Sequence, residues 1–175
     1  MKRLSLWLPF AIFVLFFGVV GYGLIKPSDR VITSKMIGKP LPAFSLQPAH
    51  DGQAGLRSGD FRGAQPRLLN IFASWCIPCI AETPVLMQLK SMGVEIDAIA
   101  IRDRPEDVAR FLERNGNPYS RIGSDVVGKV QISLGSSGVP ETFVIDGKGI
   151  IRHQHIGDIR VDDIPEILKA LDAAK

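Results

Sequence analysis

The only two cysteines of this 175-residue chain stand as Cys76-Ile77-Pro78-Cys79, and their setting constrains the fold more than any other feature. Ahead of them, Arg67 to Phe72 is a short, mostly apolar run without helical period that ends at Ala73-Ser74, which predicts a strand buried on both faces. From Cys76 to Met92 apolar residues recur at helical spacing, with Pro84 expected to kink the helix by removing a backbone donor. The pair therefore stands where a strand turns into a helix. Unpaired N–H groups and the positive end of the helix dipole favour a thiolate there, which makes Cys76 the expected nucleophile. Cys79, one turn further along the same face, is the expected resolving thiol. Two other readings stand beside this one. A purely structural disulfide closing so short a loop restrains the unfolded chain little. A metal site needs more ligands, and His50, His153 and His155 lie at no ligand spacing from the cysteines.

The surrounding pattern predicts an α/β domain. Gly38-Lys39-Pro40-Leu41-Pro42 cannot propagate a helix and marks the domain start near Pro40, after a polar tether over 27–39. Ala49 to Gly59, with three glycines, reads as a surface loop. Val94 to Ile101 is a second buried strand, and Arg104-Pro105-Glu106-Asp107 opens a helix that stops at Asn115-Gly116. A short helix over Gly128 to Leu134 is followed by a glycine-rich turn. Glu141 to Ile145 and Gly149 to Ile156 flank Asp146-Gly147 as an antiparallel hairpin, and Ile164 to Ala173 forms the last helix. Strand, helix, strand, helix, strand, strand, helix predicts a mixed central sheet with helices on both faces over residues 40–175.

The first 26 residues are of another kind. No charge occurs from Leu4 to Ile25, and about 20 apolar residues suffice for a helix to cross a bilayer core. Lys2 and Arg3 precede the run, Trp7 and Tyr22 lie near its ends, and the cation bias keeps the N-terminus cytoplasmic. A single-pass anchor in the inner membrane, with the domain facing the periplasm, is expected. A cleaved signal peptide, with Gly21 and Gly23 as small residues, leaves the domain in the same compartment. The formal charge of +3 includes Lys2 and Arg3, and the other charges are mixed, so no nucleic-acid footprint follows.

Leu69-Asn70-Ile71-Phe72-Ala73-Ser74-Trp75-Cys76-Ile77-Pro78-Cys79 resembles the active-site strand and helix start of thioredoxin-fold proteins. Gly138-Val139-Pro140-Glu141-Thr142-Phe143-Val144-Ile145-Asp146 is similar to the signature of thioredoxin-like thiol:disulfide interchange proteins of cytochrome c maturation, the DsbE or CcmG type. Asn117-Pro118-Tyr119 and Gly38-Lys39-Pro40 resemble further segments of that family. The resemblance runs from about Gly38 to the last helix. Gly135-Ser136-Ser137-Gly138 departs from it, since the family more often has an apolar residue at the position of Ser136.

The resemblance implies a thioredoxin-like fold in which Pro140 is a cis proline facing the cysteines. The Val139 backbone would then pair with an extended substrate beside Cys76. It also implies an acidic site, to which Glu82, one turn beyond Cys79, and Glu141 would contribute. By its spacing alone, Glu82 reads as a solvated helix residue. Trp75 reads as a packing residue beside the site. No cofactor is called for. The implied substrate is the haem-binding cysteine pair of apocytochrome c, or a partner thiol protein, with electrons from a membrane thiol transporter. A general periplasmic reductase or oxidase, and a non-catalytic copper or apoprotein carrier, are the other readings of the same residues.

Overall fold

The computed structural model describes residues 4–25 and 35–175. The expectations on Lys2, Arg3, Lys26 and tether residues 27–34 lie outside them. Helix α1 runs over Leu4–Ile25, and its side chains from Trp7 to Tyr22 are almost all exposed. Among the described residues no helix counts as long and apolar enough to cross a membrane, side chains being described only over 7–23 of α1.

The second compact unit carries a five-stranded sheet in the order β5-β4-β3-β6-β7. Its strands are β3 (Arg67–Phe72), β4 (Ile96–Ile101), β5 (Arg121–Asp125), β6 (Glu141–Ile145) and β7 (Ile151–Ile156). A two-stranded ribbon of β1 (Ser45–Leu46) and β2 (Leu56–Arg57) packs beside β5. The helices are α2 (Ile77–Ser91), α3 (Pro105–Asn115), α4 (Lys129–Ser133) and α5 (Ile164–Ala173). α2 continues through Pro84, and α3 ends at Gly116, whose φ of 95° is open to glycine at little cost.

β3, β4 and β5 are mutually parallel, while β6 is antiparallel to β3. The chain therefore leaves β3 for Cys76, β4 for Asp103 and β5 for Val126 at one edge of the sheet. β6 begins at that same edge. Its Glu141 pairs with Ile71 and its Thr142 with Asn70, so Val139-Pro140 lies at the edge where residues 73–76 emerge.

Four expectations are corrected. β5 was not anticipated: its sequence Arg-Ile-Gly-Ser-Asp has one β-branched apolar residue and a central glycine. That glycine is required by packing, because a Cβ at Gly123 would lie 2.7 Å from Leu46 Cβ of β1. The stretch 49–59 is not simply a surface loop, for it contains β2 and buries Ala49 and Leu56. Residues ahead of Pro40 already belong to the domain: Gly38 N–H donates to the Ile151 carbonyl and Ile151 N–H to the Lys39 carbonyl. β4 starts at Ile96, two residues later than expected.

Candidate active site

Cys76 is the N-cap of α2, with extended backbone, and its sulfur accepts the Cys79 N–H at 3.2 Å. A helix N-terminus leaves its first N–H groups unpaired, and here a sulfur takes one of them, as a thiolate would more strongly. Cys76 and Cys79 are disulfide-bonded, with Cα atoms 5.3 Å apart. Cys79 is 1% exposed and Cys76 4%, so in this oxidised form both sulfurs are largely covered. Ile77, between them, is 78% exposed. Trp75 is 57% exposed, against the expectation of a packing residue: it stands on the turn at the sheet edge, where no element covers it. Trp75, Ile77 and Ile80 thus put apolar surface around the disulfide.

The Val139–Pro140 peptide bond is cis. Val139 is partly buried against the core, and among the described residues its backbone makes no hydrogen bond. Glu141 is fully buried: its Oε2 accepts the Ser137 N–H at 2.9 Å and its Oε1 accepts from Gln154. It ties down the turn before Pro140. Ser136, the departure from the family pattern, donates its hydroxyl to the Gly138 carbonyl at 3.1 Å, so a polar residue is accommodated there.

Glu82 is 1% exposed and not the solvated helix residue that its spacing alone suggests. Its Oε1 accepts from Asn70 Nδ2 at 3.0 Å and its Oε2 from the Ile159 N–H at 3.1 Å. Burial, the largest influence, raises its pKa to about 7. The two hydrogen bonds oppose that rise and Asp158 adds to it. Three partners escaped sequence reasoning. Asn70 donates also to Thr142 Oγ1 at 3.0 Å, and Tyr119 donates its hydroxyl to Asn70 Oδ1 at 2.8 Å. The signal available was a lone asparagine in a strand buried on both faces, since a buried polar side chain needs partners. Ser74 was missed as well: Asp103 accepts its N–H at 2.7 Å and its hydroxyl at 2.6 Å, fixing the turn into Cys76. Among the described residues no three His, Cys, Asp or Glu side chains gather as metal ligands would.

A dithiol or disulfide at a helix N-terminus, beside a cis proline on a mixed sheet, defines a thioredoxin-fold thiol-disulfide oxidoreductase. The Redoxin family model matches residues 36–171. The chain is 41% identical over 160 residues to "Thiol:disulfide interchange protein DsbE" of Pseudomonas fluorescens biotype C, covering 91% of this chain and 88% of that protein. It is 33% identical over 171 residues to "Thiol:disulfide interchange protein HelX" of Rhodobacter capsulatus, covering 98% and 97%. Among solved structures, a thiol:disulfide interchange protein of the thioredoxin family from Chlorobium tepidum TLS superposes with a TM-score of 0.61 at 26% identity, over 75% of this chain and 95% of that one. The chain belongs to the redoxin family, among the thiol:disulfide interchange proteins of DsbE type.

Proposed function

We propose that the protein reduces disulfides in the periplasm during c-type cytochrome biogenesis, acting on the haem-binding cysteines of apocytochrome c or on a partner thiol protein. The observation that carries the chemistry is the Cys76–Cys79 pair at the N-terminus of α2, with a carboxyl group titrating near neutrality one turn behind Cys79. In the reduced protein the Cys76 thiolate attacks one sulfur of the substrate disulfide. A mixed disulfide forms and the other substrate sulfur leaves as a thiolate, taking a proton from solvent. Cys79 gives its proton to the Glu82 carboxylate and attacks Cys76 Sγ. The Cys76–Cys79 disulfide forms, the bond to substrate breaks, and the second substrate thiolate departs. Two electrons have passed to the substrate. An external dithiol, supplied by a membrane thiol transporter, restores the reduced pair. The Val139 backbone and the exposed Trp75 and Ile77 side chains offer an extended segment its edge and apolar contact.

The uncharged Leu4–Ile25 helix supports an anchor, and Lys2 and Arg3 ahead of it support a periplasmic domain. A Cys79→Ala variant of the full chain, which arrests the mixed disulfide at Cys76, tests the substrate. Recovery of apocytochrome c or a partner thiol protein of haem attachment is expected in membrane fractions. Recovery of unrelated periplasmic proteins in its place would overturn the assignment, and recovery of the protein from a carbonate-washed supernatant would overturn the anchor.

A further inference from the structure

The groups around Glu82 come from five parts of the domain: Asn70 from β3, Thr142 from β6, Tyr119 ahead of β5, Ile159 after β7, and Glu82 itself from α2. An asparagine side chain has one acceptor oxygen and two donor hydrogens, and all three are in use here. Tyr119 can donate to Oδ1, and the two N–H groups go to Thr142 and Glu82. The reversed amide would set Oδ1 against an ionised carboxylate oxygen, two acceptors with no hydrogen between them. While Glu82 is ionised, the amide is therefore held in the orientation that donates to it. The Tyr119 ring stacks on Phe72 with centroids 5.0 Å apart, which fixes the hydroxyl. Burial keeps that phenol well above its ordinary pKa, so it stays a neutral donor.

We infer that Asn70, oriented by Tyr119 and Thr142, is a positioning residue that holds the Glu82 carboxylate ionisable for the resolving step and so sets the pH at which Cys79 attacks. This rests on the role given to Glu82 above. The amide donates to the charged form of Glu82 and favours it, as does the Ile159 N–H, against the burial that disfavours it. The titratable groups that act on Glu82 are Tyr119 ahead of β5 and Asp158 after β7, and Cys79 lies one turn before it on α2. His155 of β7 approaches the Asp158 carbonyl at 3.3 Å. β3 and β6 contribute only the neutral Asn70 and Thr142. Losing the amide raises the Glu82 pKa and leaves less carboxylate at neutral pH to accept the Cys79 proton.

The test uses reduced full-length protein and a symmetrical chromogenic aryl disulfide. Cys76 releases the first coloured thiolate and Cys79 the second, so the second phase reports the resolving step. In wild type that phase is expected to rise with a midpoint near the Glu82 pKa of about 7. Asn70→Ala should move the midpoint about one pH unit alkaline and Tyr119→Phe about half as far, the scale of a lost hydrogen bond to a charged group. Carbon NMR of carboxyl-labelled glutamate should show the same order for Glu82 without any thiol chemistry. Tyr119→Phe removes one hydroxyl and keeps the test open if Asn70→Ala does not fold. Glu82→Gln should abolish the limb. If the limb survives in Glu82→Gln, the assigned role of Glu82 falls, and this inference with it. If it vanishes there, yet Asn70→Ala and Tyr119→Phe leave the midpoint at the wild-type pH, the inference alone is overturned.

Discussion

At one end of the central sheet the fully buried Asp97 of β4 faces a cation: Arg67, at the start of β3, donates Nη1 to its carboxylate at 3.0 Å. At the other end, behind the disulfide, the equally buried Glu82 meets only neutral donors, an asparagine amide and a backbone N–H. Burial raises both carboxyl groups. Asp97 is opposed by a guanidinium that never loses its charge, with Arg121 adding to it, and the pair holds two parallel strands in register. Glu82 has no such partner and titrates near 7. The same side-chain chemistry thus stands in an ion pair at one end and among neutral donors at the other. The difference lies in the charge of the partner.

The largest expected effect breaks the structural end. Arg67→Met leaves Asp97 buried without its cation and should lower stability by about 3 to 5 kcal/mol in urea unfolding. The pH dependence of thiol exchange should not move. Arg67→Met with Asp97→Leu should recover most of the loss, since an apolar pair replaces a broken ionic one. A cost below about 1 kcal/mol for the single variant would mean that Asp97 sheds its charge as readily as Glu82.

A second effect belongs to the functional end. Glu82 holds its proton more tightly when folded, so its contribution is complete below the ordinary value of 4.5 and is lost as pH rises through about 7. The full span is worth about 3 kcal/mol. Wild-type stability relative to Glu82→Gln should fall by that order between acidic and slightly alkaline pH, in urea unfolding at a series of pH values. A difference independent of pH would show that Glu82 titrates in the folded protein as it does in the unfolded chain.

The smallest effect is on redox poise. A carboxylate near a thiolate raises the thiol pKa and disfavours the reduced form. Glu82→Gln with Glu141→Gln should therefore lower the Cys76 pKa and make the potential more oxidising, by about 30 mV for each pH unit of that change. Thiolate absorbance and glutathione equilibration read the two quantities. A Cys76 pKa that rises in the double variant would assign the poise to other groups, and the buried hydrogen bonds of Glu141 would then be purely structural.

Much of the domain was legible because its signals are local. The apolar run of β3, the helical spacing of α2, the proline and acids opening α3, and the Asp146-Gly147 hairpin each state their own conformation. The turn after α3 and the span of α5 were legible for the same reason. β5 was not, because Arg121–Asp125 carries little β propensity and is a strand only through pairing with β4 and the approach of Leu46 to Gly123. Trp75 was misread because an aromatic residue ahead of an active-site helix gives no local sign of whether anything will cover it.

The candidate site divides along the same line. Cys76 and Cys79 come from one strand-to-helix segment, so their pairing and their place at the start of α2 were legible from spacing alone. Val139-Pro140 reached the same sheet edge only through the register of β6 on β3. Glu82 was visible as one turn from Cys79, but its proton affinity was not. That property depends on Asn70, Tyr119, Thr142 and Ile159, up to 89 residues apart in the chain (159 − 70) and joined by the fold. Sequence determined which atoms exchange electrons, because sulfur chemistry needs only two neighbouring thiols at a helix start. The tertiary structure decided where the proton is held, because a carboxyl group titrates according to the water it has lost and the donors that replace it.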